Sequence, residues 1–179
     1  MPSIPEIIAF AQAADLPALA LTDTNALYGA MEFIAACRQP GIAPLLGAEL
    51  NLAGGHSIIL LAQTLQGYGN LCRLITRLQA APDRAAALTR GLTLSDLAPN
   101  RDGLIALSGG QFGPIDARLQ QGDPTQAESF ANELVNLFGK DRFCIELQII
   151  ESGDAEKARM LQALADRLHL RTVATHEIH

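Results

Sequence analysis

"PALALTDTNALYGA", residues 17–30, governs how the rest of the chain is read. An apolar run climbs to Thr22, three polar residues follow (Asp23, Thr24 and Asn25), and a helix-like pattern resumes in "ALYGAMEFIAAC". A strand that empties into polar residues and then a helix is one β/α unit. The same apolar opening recurs as "APLLGAEL" (43–50), "SIILLA" (57–62), "LIALSG" (104–109), "FCIELQ" (143–148) and "TVATHE" (172–177), all read as strands. Between strands, Ala127, Phe130, Ala131, Leu134, Val135 and Phe138 fall at helical spacing, as do Ala158, Leu161, Leu164, Ala165 and Leu168. Strands apolar on both faces and separated by helices predict a parallel sheet, because each crossover helix covers a face. The expected class is α/β, as an open doubly wound sheet or a β/α barrel. In both, functional groups gather at the carboxyl ends of the strands, where the βα loops converge.

At 179 residues, 49% of them hydrophobic, the chain has material for one compact domain spanning 1–179. Residues 79–103, "QAAPDRAAALTRGLTLSDLAPNRDG", read as an irregular connecting excursion with a short helix at "TLSDLA" that Thr93 or Ser95 can cap. The net charge of −6 argues against a surface that neutralises phosphates, so nucleic-acid binding by the chain alone is expected to be weak or nil. Aromatic residues make up 4% and Trp is lacking, which leaves little for a base-stacking platform. Cys37, Cys72 and Cys144 are scattered without C-x-x-C spacing, which excludes a zinc knuckle and suits a reducing cytoplasm. No apolar run approaches the roughly 18 residues of a membrane span, and Met1-Pro2-Ser3 is not the basic start of a signal peptide.

The strand ends carry Asp23 and Thr24, then Glu49, then His56 at the start of "SIILLA", then Ser108, Gly109 and Gly110, then Glu146, then Glu177 and His179. Alternate strand residues share a face, so Glu177 and His179 present two metal-compatible ligands together. "HEIH" is not the zinc-protease motif, which needs two His four apart on a helix. Each feature also has a plain structural explanation. Asp23, Thr24 and Asn25 are good helix N-caps, Glu49 can meet water at a strand end, and His56 follows a Gly-Gly turn. "SGGQFG" lacks the Lys and spacing of a P-loop and suits an ordinary turn.

Taken together, "LALTDTNALYGAMEFIAACRQPGIAPLLGAEL", "HSIILLAQTLQGYGNLCRLIT", "GLIALSGG", "FGKDRFCIELQ" and "VATHEIH" resemble the PHP (polymerase and histidinol phosphatase) domain of bacterial C-family DNA polymerases, the polymerase III alpha subunit and its error-prone relatives. The resemblance runs in order over nearly the whole chain. It implies a distorted, TIM-like β/α barrel. It also implies a cluster of zinc or manganese ions at the strand ends, able to hydrolyse phosphate esters in the manner of a proofreading exonuclease. Glu49 matches the family's Glu in "GAE", His56 the His opening the next strand, and Glu177 with His179 the D-x-H pair of the last strand.

The match has departures. Thr24 stands where the family has the His of T-D-H, and Gly110 where it has the Cys of S-G-C; neither is a soft nitrogen or sulfur donor. Asp23, Thr24, Ser108 and Gly110 are therefore expected to line the site without ligating. Family members begin with a strand bearing H-x-H-S, which this chain lacks, and the sequence stops directly after the last ligand pair. The expectation is an incomplete barrel, its first and final strands missing, with a degenerate metal site and a mainly structural or interaction role. The polymerase domains of a parent chain, and a separate proofreading exonuclease, are the implied partners. A metal-dependent phosphoesterase keeping one or two ions is the alternative. An incomplete barrel leaves "PALALT" at an open edge, which predicts self-association or coverage by the N-terminal segment.

Overall fold

Wherever apolar residues fall three and four apart the chain coils, and wherever they run together between turn residues it extends. The computed structural model describes residues 3–149 and 154–175. The elements run α1 (Ile4–Ala13), β1 (Ala18–Thr24), α2 (Ala30–Arg38), β2 (Ala43–Leu52), β3 (His56–Ala62), α3 (Leu65–Gln79), α4 (Arg84–Arg90), α5 (Leu94–Leu97), β4 (Leu104–Leu107), α6 (Pro114–Gln120), α7 (Pro124–Phe138), β5 (Phe143–Leu147), α8 (Asp154–Leu168) and β6 (Arg171–Ala174). The strands form one curled six-stranded sheet in sequence order, β1 to β6.

The sheet is not all-parallel as expected. β1 and β2 run parallel, as do β4, β5 and β6, but β3 is antiparallel to both of its neighbours. The cause lies in "NLAGGHS": the register pairs Leu52 with His56, leaving only Ala53, Gly54 and Gly55 between the strands. A parallel crossover needs a dozen or more residues, so a hairpin is the only connection possible. Gly54 and Gly55 take φ of +88° and +79°, conformations that cost a side-chain-bearing residue dearly. The reversal has a functional consequence. It brings the first residue of β3 to the rim where the other strands end.

The large core lies between one face of the sheet and the helices. Leu50, Ile58 and Leu60 from the strands meet Leu71, Leu74 and Leu78 of α3, Leu134 and Phe138 of α7, and Leu161 and Leu164 of α8, all fully or almost fully buried. Each such side chain contributes about 1.5–3 kcal/mol on burial. A second, smaller core joins Ile8 and Ala11 of α1 to Phe33 and Cys37 of α2 and Ile42, with Leu19, Leu21 and Leu46 of the sheet packed against it. Thus α1 covers a face of β1. Among the described residues β1 pairs with β2 alone, so its other edge carries no strand.

Between α3 and β4 the chain forms α4, α5 and a 3-10 turn at Ala98–Asn100. Of the two candidate caps for α5, Thr93 serves: its hydroxyl accepts from the Asp96 N–H, and Asp96 returns the favour to the Thr93 N–H. Ser95 lies inside the helix.

Candidate functional site

The rim is assembled from strand ends, starting with the polar triplet after β1. The expectation that Asp23, Thr24 or Asn25 caps the next helix is corrected by the structure. The helix α2 begins only at Ala30, its N-cap is Gly29, and no side chain caps it. Four further residues, "ALYG", intervene, and β1 itself runs on through Thr24. Asp23 accepts a long hydrogen bond from the Gly29 N–H, 3.4 Å. Thr24 lies in register with Glu49 and donates its hydroxyl to Glu49 Oε2 at 3.3 Å.

Asn25 has the most demanding role of the three. It sits buried at φ +53°, a region where Asn is tolerated better than other side chains. Its N–H donates to the Glu49 carbonyl at 2.7 Å. Its Nδ2 donates to Asn51 Oδ1 at 2.9 Å, its Oδ1 accepts from the Asn51 N–H at 3.0 Å, and its carbonyl accepts from Gln79 Nε2 at 2.8 Å. Asn51 in turn donates to the Leu88 carbonyl. One buried amide therefore ties together the ends of β1 and β2, the end of α3, and α4.

The structure places Glu49 and His56 on one rim. Both are half-buried and both line one open pocket of about 260 Å³, with Asn51, Ser57, Thr89 and Phe112 among its walls. Burial, and after it the Arg118 cation, depresses the proton affinity of His56, so the imidazole is neutral at physiological pH. Glu177 and His179 lie outside the described residues.

Across the rim, Ser108 and Gly110 are buried in the turn after β4. Ser108 Oγ accepts the Glu146 N–H at 2.9 Å, a latch between β4 and β5. Two amides of the "SGGQFG" turn have partners within the protein: the Gly113 N–H donates to the Gly110 carbonyl, and the Gln111 N–H to Gln148 Oε1. This is the ordinary turn that the sequence allowed.

Glu146, named at a strand end but given no role, proves to be the most confined carboxyl of the rim, 1% exposed. Its Oε1 accepts from Thr175 Oγ1 at 2.5 Å and from Gln148 Nε2 at 3.2 Å, while Oε2 has no partner in hydrogen-bonding geometry among the described residues. Burial raises its pKa; Thr175, Gln148 and the Gly109 amide oppose the rise, and the Glu49 charge adds to it. Gln148 was not foreseen. The period-2 pattern of "FCIELQ" places it on the face of Glu146, which is the signal that could have found it.

Whether these residues suit a metal cluster is a question of donors. Among the described residues no group of three or more His, Cys, Asp or Glu is arranged to hold a metal ion. Gln148 turns N–H donors, not an acceptor, toward Glu146. Glu49 and a neutral His56 offer two acceptors to the pocket, too few to clamp both the attacking and leaving oxygens of a phosphodiester between ions. The described donor set does not fit a multi-ion centre.

Comparison with known proteins agrees with this architecture. The chain is 38% identical to an error-prone DNA polymerase of Symbiobacterium thermophilum over 188 residues, covering 97% of this chain and 17% of that protein. It is 28% identical to DNA polymerase III subunit alpha of Bacillus subtilis over 183 residues, covering 99% and 16%. The chain thus spans about a sixth of the length of these curated relatives. An amidohydrolase from Chromobacterium violaceum, solved with bound sulfate and no metal, superposes with a TM-score of 0.64 over 99% of this chain and 82% of its own, at 16% identity. The model of the PHP domain family matches residues 1–149. On fold, sequence and that match, the chain belongs to the PHP domain family.

Proposed function

We propose that this PHP domain serves a C-family DNA polymerase as a structural and docking module in DNA replication or repair synthesis, its own phosphoester chemistry having lapsed. The carrying observation is the Glu146–Gln148–Thr175 network, in which a carboxyl on the rim is engaged by neutral hydrogen-bond donors. The kinship with polymerases of which this chain matches about a sixth supports the context. The partners that follow are the polymerase domains and a separate proofreading exonuclease. A net charge of −6 suits protein contacts better than direct nucleic-acid contacts. The free thiols of Cys37, Cys72 and Cys144 suit the cytoplasm, and no helix among the described residues is long and apolar enough to cross a membrane. The unpaired edge of β1 supports self-association when no partner covers it.

One observation favours a second reading, in which the domain keeps a zinc or manganese ion at partial occupancy. Glu49 and a neutral His56 share a pocket, and with Glu177 and His179 they would make its ligands. Mixing the purified chain with the polymerase region of its error-prone relative, lacking that relative's own PHP region, separates the two. Docking expects a complex on size exclusion and no manganese-dependent hydrolysis of a 3'-labelled oligonucleotide. Failure to form the complex, with hydrolysis abolished by His56→Ala, would establish the phosphoesterase instead.

A further inference from the structure

The pocket that Glu49 and His56 share restricts, by its own chemistry, what can fill it. The Glu49 carboxylate has no hydrogen to donate, and among the described residues its side chain accepts only the long bond from the Thr24 hydroxyl, 3.3 Å. It enters none of the ion pairs formed among those residues. The neutral His56 ring adds a lone pair. Ser57, 5% exposed, lines the same pocket with a hydroxyl that has no partner among the described residues. A carboxylate without a cation and a buried hydroxyl without a partner both cost free energy, which a positively charged ligand rich in N–H donors would recover.

Size and shape narrow the ligand further. At about 260 Å³ the recess lies below the roughly 300–1,000 Å³ typical of small-molecule sites, which suits a single projecting side chain. Phe112, 54% exposed, forms part of its wall and offers an aromatic surface. A flat cation with its N–H groups in a fixed fork meets both demands, since it can pair with a carboxylate and lie against a ring. The chain already holds one guanidinium in this manner. Arg118 sits over the Phe130 ring, 4.5 Å from its centroid, and donates to the Pro114 carbonyl at 2.6 Å, so it is engaged there rather than in the pocket.

We propose that this pocket is the anchor point for an arginine of the docked protein partner: its guanidinium pairs with Glu49, donates to His56 and Ser57, and lies against Phe112. Arginine is enriched among the residues that carry most of the binding energy at interfaces, where it is desolvated in just such a recess. The net charge of −6 favours a basic surface around that arginine. The anchor rests on the reading of the domain as a docking module, and it states the chemistry by which the module selects its partner.

The test follows the imidazole and backbone amide NMR shifts of the chain during titration with the N-acetyl methylamides of arginine, lysine and citrulline. The arginine probe is expected to bind at least about tenfold more tightly than citrulline, which has the same shape without the charge. It should also exceed lysine, whose ammonium has no flat face to set against Phe112. Glu49→Gln should remove the advantage over citrulline, and Phe112→Ala, at an exposed position, the advantage over lysine. An arginine probe no better than the other two would overturn the anchor. In titrations with the polymerase region of the error-prone relative, Glu49→Gln is expected to weaken docking at least about tenfold. Docking that survives the substitution unweakened would overturn the anchor and leave the docking module standing. No docking even by the unaltered chain would overturn the module, and the anchor with it.

Discussion

The two halves of the rim handle the same problem differently. On the β1–β3 side the buried amide is Asn25, neutral and hydrogen-bonded through both side-chain polar atoms, near a buried Ser57 hydroxyl that has no partner among the described residues, while the ionisable residues Glu49 and His56 are only half-buried beside an open pocket. On the β4–β6 side the buried group is itself a carboxyl, Glu146, with one oxygen unpartnered among the described residues and the other engaged by an amide and a hydroxyl. The contrast teaches that one side of the rim carries structure in its polar contacts, whereas the other carries an unfinished electrostatic balance. Stability should be lost by disturbing the first and can be gained by repairing the second.

Asn25→Ala should have the largest effect. It strips both side-chain bonds with Asn51, leaves buried partners unsatisfied, and puts a Cβ residue without polar compensation at φ +53°. We expect a loss of about 2–4 kcal/mol, read as a lower urea midpoint at unchanged slope. Asn25→Gly removes the same bonds but tolerates the backbone, and should recover about 1 kcal/mol of the loss. Equal costs for the two would show that backbone conformation plays no part.

Gly110→Ala comes next, at about 1–3 kcal/mol, since it combines an unfavourable φ with a collision against the Gln148 amide. Part of this should be relieved in the double variant with Gln148→Ala, because removing the amide also removes the collision. Strict additivity would mean that the two residues do not compete for space.

Glu146→Gln reverses the direction. The pKa of Glu146 is raised above its ordinary 4.5 in the folded chain, so the folded state holds the proton more tightly than the unfolded state does. The stability that the protonated carboxyl confers is complete below that ordinary value and is lost as pH rises through the folded one. The variant carries no such proton. It should therefore melt close to the parent at pH 4 and above it at pH 8, by about 1 kcal/mol. A gain equal at both pH values would separate the effect from ionisation. Thr24→Ala is the smallest change, within about 0.5 kcal/mol, because its hydroxyl makes one long bond at an exposed position.

Much of this could be read from the residues alone. The strand positions followed from apolar runs bounded by turns, and α7 and α8 from their apolar spacing, because burial on one side leaves a periodic trace. The direction of β3 did not follow from its composition, since a strand buried on both faces looks the same whichever way it runs; only the three-residue span between Leu52 and His56 encodes the hairpin. Asp23, Thr24 and Asn25 looked like caps because capping residues and buried turn residues share the same short polar side chains. Their spacing from Ala30, rather than their type, tells them apart. Glu49 and His56 were legible at the rim from strand ends and family resemblance. Gln148 was not, because its role depends on the hydrogen atom that stands for a side chain at Gly110, a relation across 38 residues that no local pattern records.

Metal content measured on the intact chain tests the account most directly. After equilibration with manganese or zinc and removal of the free ion, elemental analysis should find well below one equivalent per chain, unchanged by Glu49→Gln. Two or more stoichiometric ions, lost on Glu49→Gln or His56→Ala, would contradict it and restore the rim as a working metal centre.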